Sequence, residues 1–132
     1  MIGKAIFGGA GLLALACAAQ AQAPTPVSYT ADIAPLLEAN CATCHLTGEE
    51  AGGMSLVSDS ALSFLVNKPS QEAPGVLRIA PGDPDRSYLV MKLEGSHIAH
   101  GGSGARMPFG GSPLPATEIA KIRAWIAAGA NP

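Results

Sequence analysis

Cys41-Ala42-Thr43-Cys44-His45 is the stretch of this chain best equipped for chemistry. Two thiols three residues apart, followed at once by an imidazole, can hold a zinc ion, form a redox-active disulfide or attach a haem. A structural zinc site needs four ligands, usually in two spaced pairs. His97 and His100 are the available second pair. Their separation is shorter than the roughly three to five intervening residues usual in such sites, and His45 would be left idle. A thioredoxin-like disulfide belongs at a strand–helix junction in a βαβ unit, whereas a helical pattern precedes Cys41. A plain structural disulfide needs no further context. C-x-x-C-H is the attachment pattern of c-type haem, and this reading uses every position. Each thiol forms a thioether with a vinyl group, and the histidine beside the second anchor is held under the iron.

Iron held by His45 has one axial position left, for which Met54, Met91, Met107, His97 and His100 are the candidates. Met91, in SYLVMKL, stands at helical spacing from Ser87, Tyr88 and Gly95 and reads as core packing. Met54, in GGMSL, reads as a loop residue covering the haem or filling the core. Met107 lies in GARMPFGG, between a glycine-rich stretch and the last helix. Pro108 biases it to an extended backbone and has no N–H needing a partner, which suits a rigid ligand loop. His100 is its rival because imidazole is a good iron ligand; His97 stands behind it. Arg106, next to Met107, reads either as a partner for a haem carboxylate or as a solvated loop arginine.

The elements that must hold these residues are helical. In YTADIAPLLEAN, Ile33, Leu36 and Leu37 have helical spacing, and Pro35 restricts the start to near Asp32–Ala34. That helix runs to about Asn40 and delivers the chain into Cys41. Residues 46–57 read as a loop, Asp59–Val66 as a short helix and Lys68–Gly75 as a second loop. Asp83 is a natural N-cap and Pro84 a natural first helical residue, predicting one helix to about Glu94, stopped at Gly95. A long glycine-rich loop spans Ser96–Pro113. In ATEIAKIRAWIAAGA, Ile119, Ile122, Trp125 and Ile126 form one apolar face, with Gly129 as the C-terminal cap. No segment alternates with period two, so the expected class is all-α, three to five short helices joined by long loops.

The N-terminus suggests export. Lys4 is followed by the uncharged run Ala5–Ala19, too short for a bilayer span of about 20 residues. The layout is that of a secretory signal, with cleavage expected after Ala21. Cleavage at Ala21-Gln22-Ala23 instead would leave Pro24 first, which suits signal peptidase poorly. Cys17 raises lipidation as the competing outcome, although Leu15 is one place too close for the usual lipid box. The expected product is a single domain over 22–132, 111 residues long, with 23 Gly and Pro and five aromatic residues. Such a chain builds a thin core alone, and a bulky apolar group at its centre would thicken it. Without Lys4, seven basic residues face ten acidic ones, a net charge of −3. No basic stripe suggests nucleic acid, and no later apolar run suggests a membrane span.

DIAPLLEANCATCH, GGMSL, APGDPDRSYLVMKL, RMPFGG and SPLPATEIAKIRAWIAAGA together carry a resemblance to small class I cytochromes c, closest to planctomycete-type cytochrome c domains. The resemblance covers almost all of the chain beyond the signal. It implies a cytochrome c-like fold around one haem c, with first and last helices crossing near the haem edge. It also implies Cys41 and Cys44 as covalent anchors, His45 as proximal ligand and Met107 as distal ligand. Leu46, where glycine is common, and Phe109, where a second proline is common, depart from the pattern. The HIAHGG insertion departs too, and bears on the distal ligand.

The expected function is single-electron transfer in the periplasm by a monomeric monohaem cytochrome, between redox protein partners. No Ser/His/Asp or carboxylate constellation asks for enzymatic catalysis. Two alternatives remain: a haem-based gas sensor with a labile sixth ligand, and the haem-bearing subunit of a larger dehydrogenase.

Overall fold

The computed structural model describes residue 3 and residues 25–132. The expected signal segment, its expected cleavage site and Cys17 therefore lie outside the described residues. The described chain is all-α, with α1 (Ala34–Asn40), α2 (Ser58–Leu65), α3 (Tyr88–Glu94) and α4 (Ala116–Ala127). No strand forms among the described residues; isolated bridges pair Val66 with Ile79, Pro69 with Leu77, and Leu77 with Ser87.

The helix before the thiols starts earlier than its proline suggests. A π-helical turn, Tyr29–Ile33, runs directly into α1. Ser28 Oγ accepts from Ala31 N at 3.2 Å, and Ser28 N donates back to Asp32 Oδ2 at 2.9 Å. The wide turn closes with Ala34 N donating to Tyr29 O. That register carries the chain past the Ala31 carbonyl, which the Pro35 ring would meet in a regular helix.

The predicted helix from Pro84 to Glu94 is two pieces. Asp83 does cap Pro84–Arg86, but as a single 3-10 turn. Ser87 then turns extended (φ −95, ψ 117) before α3 begins. The cause is the Ser87 hydroxyl, wholly buried, which donates to Asp83 O at 2.8 Å and accepts from Ala80 N at 2.9 Å. A buried serine that finds backbone partners outside the helix ladder breaks the ladder. Likewise the glycine-rich loop is not structureless: His97–His100 form a 3-10 turn, ended by Gly101 in the left-handed region.

One core joins all four helices. Ile33, Leu37, Ala61, Leu65, Val90, Leu93, Ile122, Trp125 and Ile126 are buried within a single cluster. The N-terminal turn meets α4 through Tyr29 and Trp125, whose ring centroids are 5.5 Å apart. Both polar tips are satisfied, Tyr29 Oη on Ser58 O at 2.7 Å and Trp125 Nε1 on Asn131 O at 2.7 Å. As expected, α4 presents Ile119, Ile122, Trp125 and Ile126 inward. Gly129 (φ 109) follows its last turn, and Ala130 N returns to Trp125 O at 3.0 Å, the bond of a Schellman ending. No helix among the described residues is long and apolar enough to cross a membrane.

Candidate functional site

The paired thiols and the imidazole occupy one tight turn at the end of α1. Cys41 N donates to Leu37 O at 2.8 Å, which carries the helix into the motif. The Cys41 carbonyl then accepts from both Cys44 N (3.1 Å) and His45 N (3.0 Å). Those two bonds wind the five residues into roughly one helical turn, so Cys44 and His45 come back beside Cys41. The exit is pinned too: Leu56 N donates to His45 O at 2.8 Å and Ser55 Oγ to Leu46 O at 2.9 Å.

Cys41 and Cys44 are free thiols rather than a disulfide. Cys41 rests against the main core, and burial, with the neighbouring Cys44 adding to it, pushes its thiol up to about 11. A dithiol redox centre needs the opposite, a depressed pKa. His45 is half-buried, and its Nδ1 is buried without a hydrogen-bond partner among the described residues. Burial lowers its pKa; Glu50 and Glu72 oppose that shift, while Lys92 and Arg78 reinforce it. The ring is thus held towards the neutral form, which is the form that binds metal.

The four zinc candidates are not assembled. Among the described residues, no three His, Cys, Asp or Glu side chains gather as a metal site. His97 is buried, its ring edge-on to Tyr88 at 6.4 Å and its Nε2 bonded to Gly104 O at 3.0 Å. His100 is exposed and lines a surface pocket with Asp83, Asp85, Arg86 and Met91, a pocket that none of Cys41, Cys44, His45 or Met107 lines. Met107 and Met54, by contrast, are half-buried against the same core as Cys41. A Cβ on Gly52 would lie 2.8 Å from Met54 Cε and 3.8 Å from His45 Cε1, so Gly52 sits near both the Met54 methyl and the imidazole.

Two basic residues that spacing does not single out organise this region. Arg78 is 6 % exposed; its Nη2 donates to Gly52 O (2.6 Å) and Gly53 O (3.0 Å), and its Nη1 to Phe64 O (2.9 Å). Its Nε is buried and unpartnered, and no carboxylate pairs with it among the described residues. Lys92, also 6 % exposed, pairs with Glu72 at 2.8 Å and donates to Ser103 O at 3.0 Å. Arg106 anchors the same loop, with Nε on Leu93 O at 2.8 Å. The one sequence signal for Arg78 is its setting, a lone cation between Leu77 and Ile79.

No family model, no curated protein and no solved structure matches this chain.

Proposed function

We propose that this protein is an exported, monomeric c-type cytochrome with one haem c, passing single electrons between protein partners in the periplasm. The observation that carries the reading is the turn in which the Cys41 carbonyl gathers Cys44 and His45, setting both thiols and a neutral imidazole on one short stretch of backbone. A covalent haem is the group that calls for those three side chains in that order.

The residues fit such a group. His45 Nδ1 and Arg78 Nε are both buried polar atoms without partners, and Arg78 is a buried cation without a counter-charge. A buried unpaired charge costs several kcal/mol, roughly, so a carboxylate-bearing ligand beside it relieves a real deficit. The raised pKa of Cys41 keeps it a neutral thiol, which disfavours zinc binding, since zinc takes the thiolate. Bound there, the haem supplies a one-electron ferric–ferrous couple. Cys41 and Cys44 would anchor it, His45 would be the proximal ligand and Met107 the distal one. A thioether opposite an imidazole raises the potential relative to two imidazoles.

Intact mass together with optical spectra tests the reading. The expected product begins at Gln22 and carries one haem that survives acidic organic solvent. Haem extracted by that solvent, or none at all, refutes the c-type assignment. A mass that retains Cys17 with acyl chains moves the protein to a membrane surface.

A further inference from the structure

The segment that bears Met107 is made of residues that should not hold still. Gly101, Gly102 and Gly104 lie within seven positions of it, and glycine loses more freedom on ordering than any other residue. Yet that segment is tied to α3 and to the 3-10 turn after it at nearly every step. Lys92 Nζ donates to Ser103 O at 3.0 Å, and Tyr88 Oη lies 3.4 Å from both Ser103 O and Ser103 N. His97 Nε2 donates to Gly104 O at 3.0 Å, and Arg106 Nε to Leu93 O at 2.8 Å. Finally Met107 N donates to Lys92 O at 3.0 Å. Lys92 thus holds the loop at both ends, by its ammonium at Ser103 and by its carbonyl at Met107.

A buried ammonium needs a fixed counter-charge, and Glu72 provides it. Its Oε2 is 2.8 Å from Lys92 Nζ and 3.1 Å from Tyr88 Oη. Glu72 is itself fixed by Ser70 Oγ, which accepts from Glu72 N and Ala73 N at 3.2 Å each. Beneath this cluster, Ala73, Tyr88 and Met91 form a small second core. The space is tight: a Cβ on Gly102 would fall 2.5 Å from Tyr88 Oη.

We infer that Lys92, charge-paired to Glu72 and braced by Tyr88, is the positioning residue for the distal ligand, latching the Ser103–Met107 segment so that the Met107 sulfur stays available to the iron. This rests on the proposed haem reading. It adds that the availability of the Met107 sulfur is set by the Lys92–Glu72 ion pair.

The test uses the haem-loaded protein and the variants Lys92→Met, Lys92→Arg and Tyr88→Phe. Amide exchange reads the latch, and the sulfur-to-iron charge-transfer absorption and carbon monoxide binding read the ligand. In Lys92→Met, exchange at Ser103–Met107 should quicken while α1 and α4 keep wild-type protection. The charge-transfer band should weaken, and carbon monoxide should bind the reduced protein about tenfold faster or more, the effect of losing one charged hydrogen bond from a local opening equilibrium. Lys92→Arg should restore all three. Should Lys92→Met fail to fold, Tyr88→Phe decides, because it removes only the hydroxyl; it should shift the same readouts in the same direction by less. Unchanged exchange in the loop overturns the inference, as does faster exchange with a wild-type band and no carbon monoxide binding. Failure of the underlying reading looks different: wild-type protein then has no covalent haem, or Met107→Ala keeps the band, and the inference falls with it.

Discussion

Arg78 Nη2 donates to the Gly52 carbonyl at 2.6 Å, and a Cβ on Gly52 would lie 3.8 Å from His45 Cε1, so a buried guanidinium 33 residues beyond the CATCH motif braces loop backbone near its imidazole. Arg78→Met leaves three half-buried carbonyls without this donor, those of Gly52, Gly53 and Phe64. The expected loss of stability is about 3 kcal/mol, from roughly 1 kcal/mol or more for each orphaned acceptor. Arg78→Lys should recover part of it, since an ammonium cannot span the same fork. In the haem-loaded protein, removing this cation should also lower the reduction potential, because a nearby positive charge disfavours the ferric state. Denaturant unfolding and a redox titration check the two effects; a potential that is unchanged or raised contradicts the proposed proximity of Arg78 to the haem.

Glu50 closes the loop that follows the thiols. Its carboxylate accepts from Thr47 N at 3.0 Å, Gly48 N at 2.9 Å and Thr47 Oγ1 at 2.9 Å. Its own backbone N–H is the largest cause of a pKa lowered from 4.5 to about 2, with those Thr47 and Gly48 bonds behind it. A carboxyl whose folded pKa is depressed contributes stability above its ordinary pKa and loses it as the pH falls towards the folded value. Order in residues 47–50 should therefore be retained at neutral pH and lost between about pH 4.5 and 2. Glu50→Gln should remove that acid dependence. Carbon-detected NMR titration of the Glu50 carboxyl gives the answer directly, and a midpoint near 4.5 would contradict these bonds.

What the sequence made legible and what it hid divide along contact range. α4 was readable because Ile119, Ile122, Trp125 and Ile126 repeat at helical spacing within eight residues, and the thiol turn because its chemistry is contiguous. The break at Ser87 was not, since its cause is a pair of backbone partners, one of them seven residues back at Ala80. Arg78 reaches Gly52 across 26 positions, and Lys92 meets Glu72 across a turn that only the folded chain closes. Spacing along the chain carries no trace of such pairs. Export and Cys17 fall outside the described residues, and the bond of His97 Nε2 to Gly104 O, seven residues on, was likewise hidden.

Charge sets an expectation for partners. From residue 22 onward the chain has seven basic and ten acidic residues, and the carboxylates of the proposed haem would add to the excess. Steering by opposite charge speeds association and is screened by salt. Electron exchange with a basic partner protein should slow as ionic strength rises. Stopped-flow rates across a salt series measure this, and rates that stay flat or rise argue against docking through a charged face.

The choice between carrier and sensor turns on Met107. If its thioether binds iron in both oxidation states, the coordination geometry barely changes during electron exchange and no site opens for gases. Met107→Ala should abolish the sulfur-to-iron charge-transfer absorption, lower the potential and let carbon monoxide bind the reduced protein. His100→Ala should do none of these, because His100 is exposed and lines a pocket apart from the thiols. Met54→Leu is the sharper control, because Met54 is the methionine that packs, partly buried, against the same core as Met107. Leucine conserves its volume, so the fold should tolerate the change at a cost below about 1.5 kcal/mol. If the band survives in Met54→Leu and disappears in Met107→Ala, Met107 is the ligand. The reverse result assigns the sulfur to Met54, and wild-type protein that binds carbon monoxide readily favours the sensor.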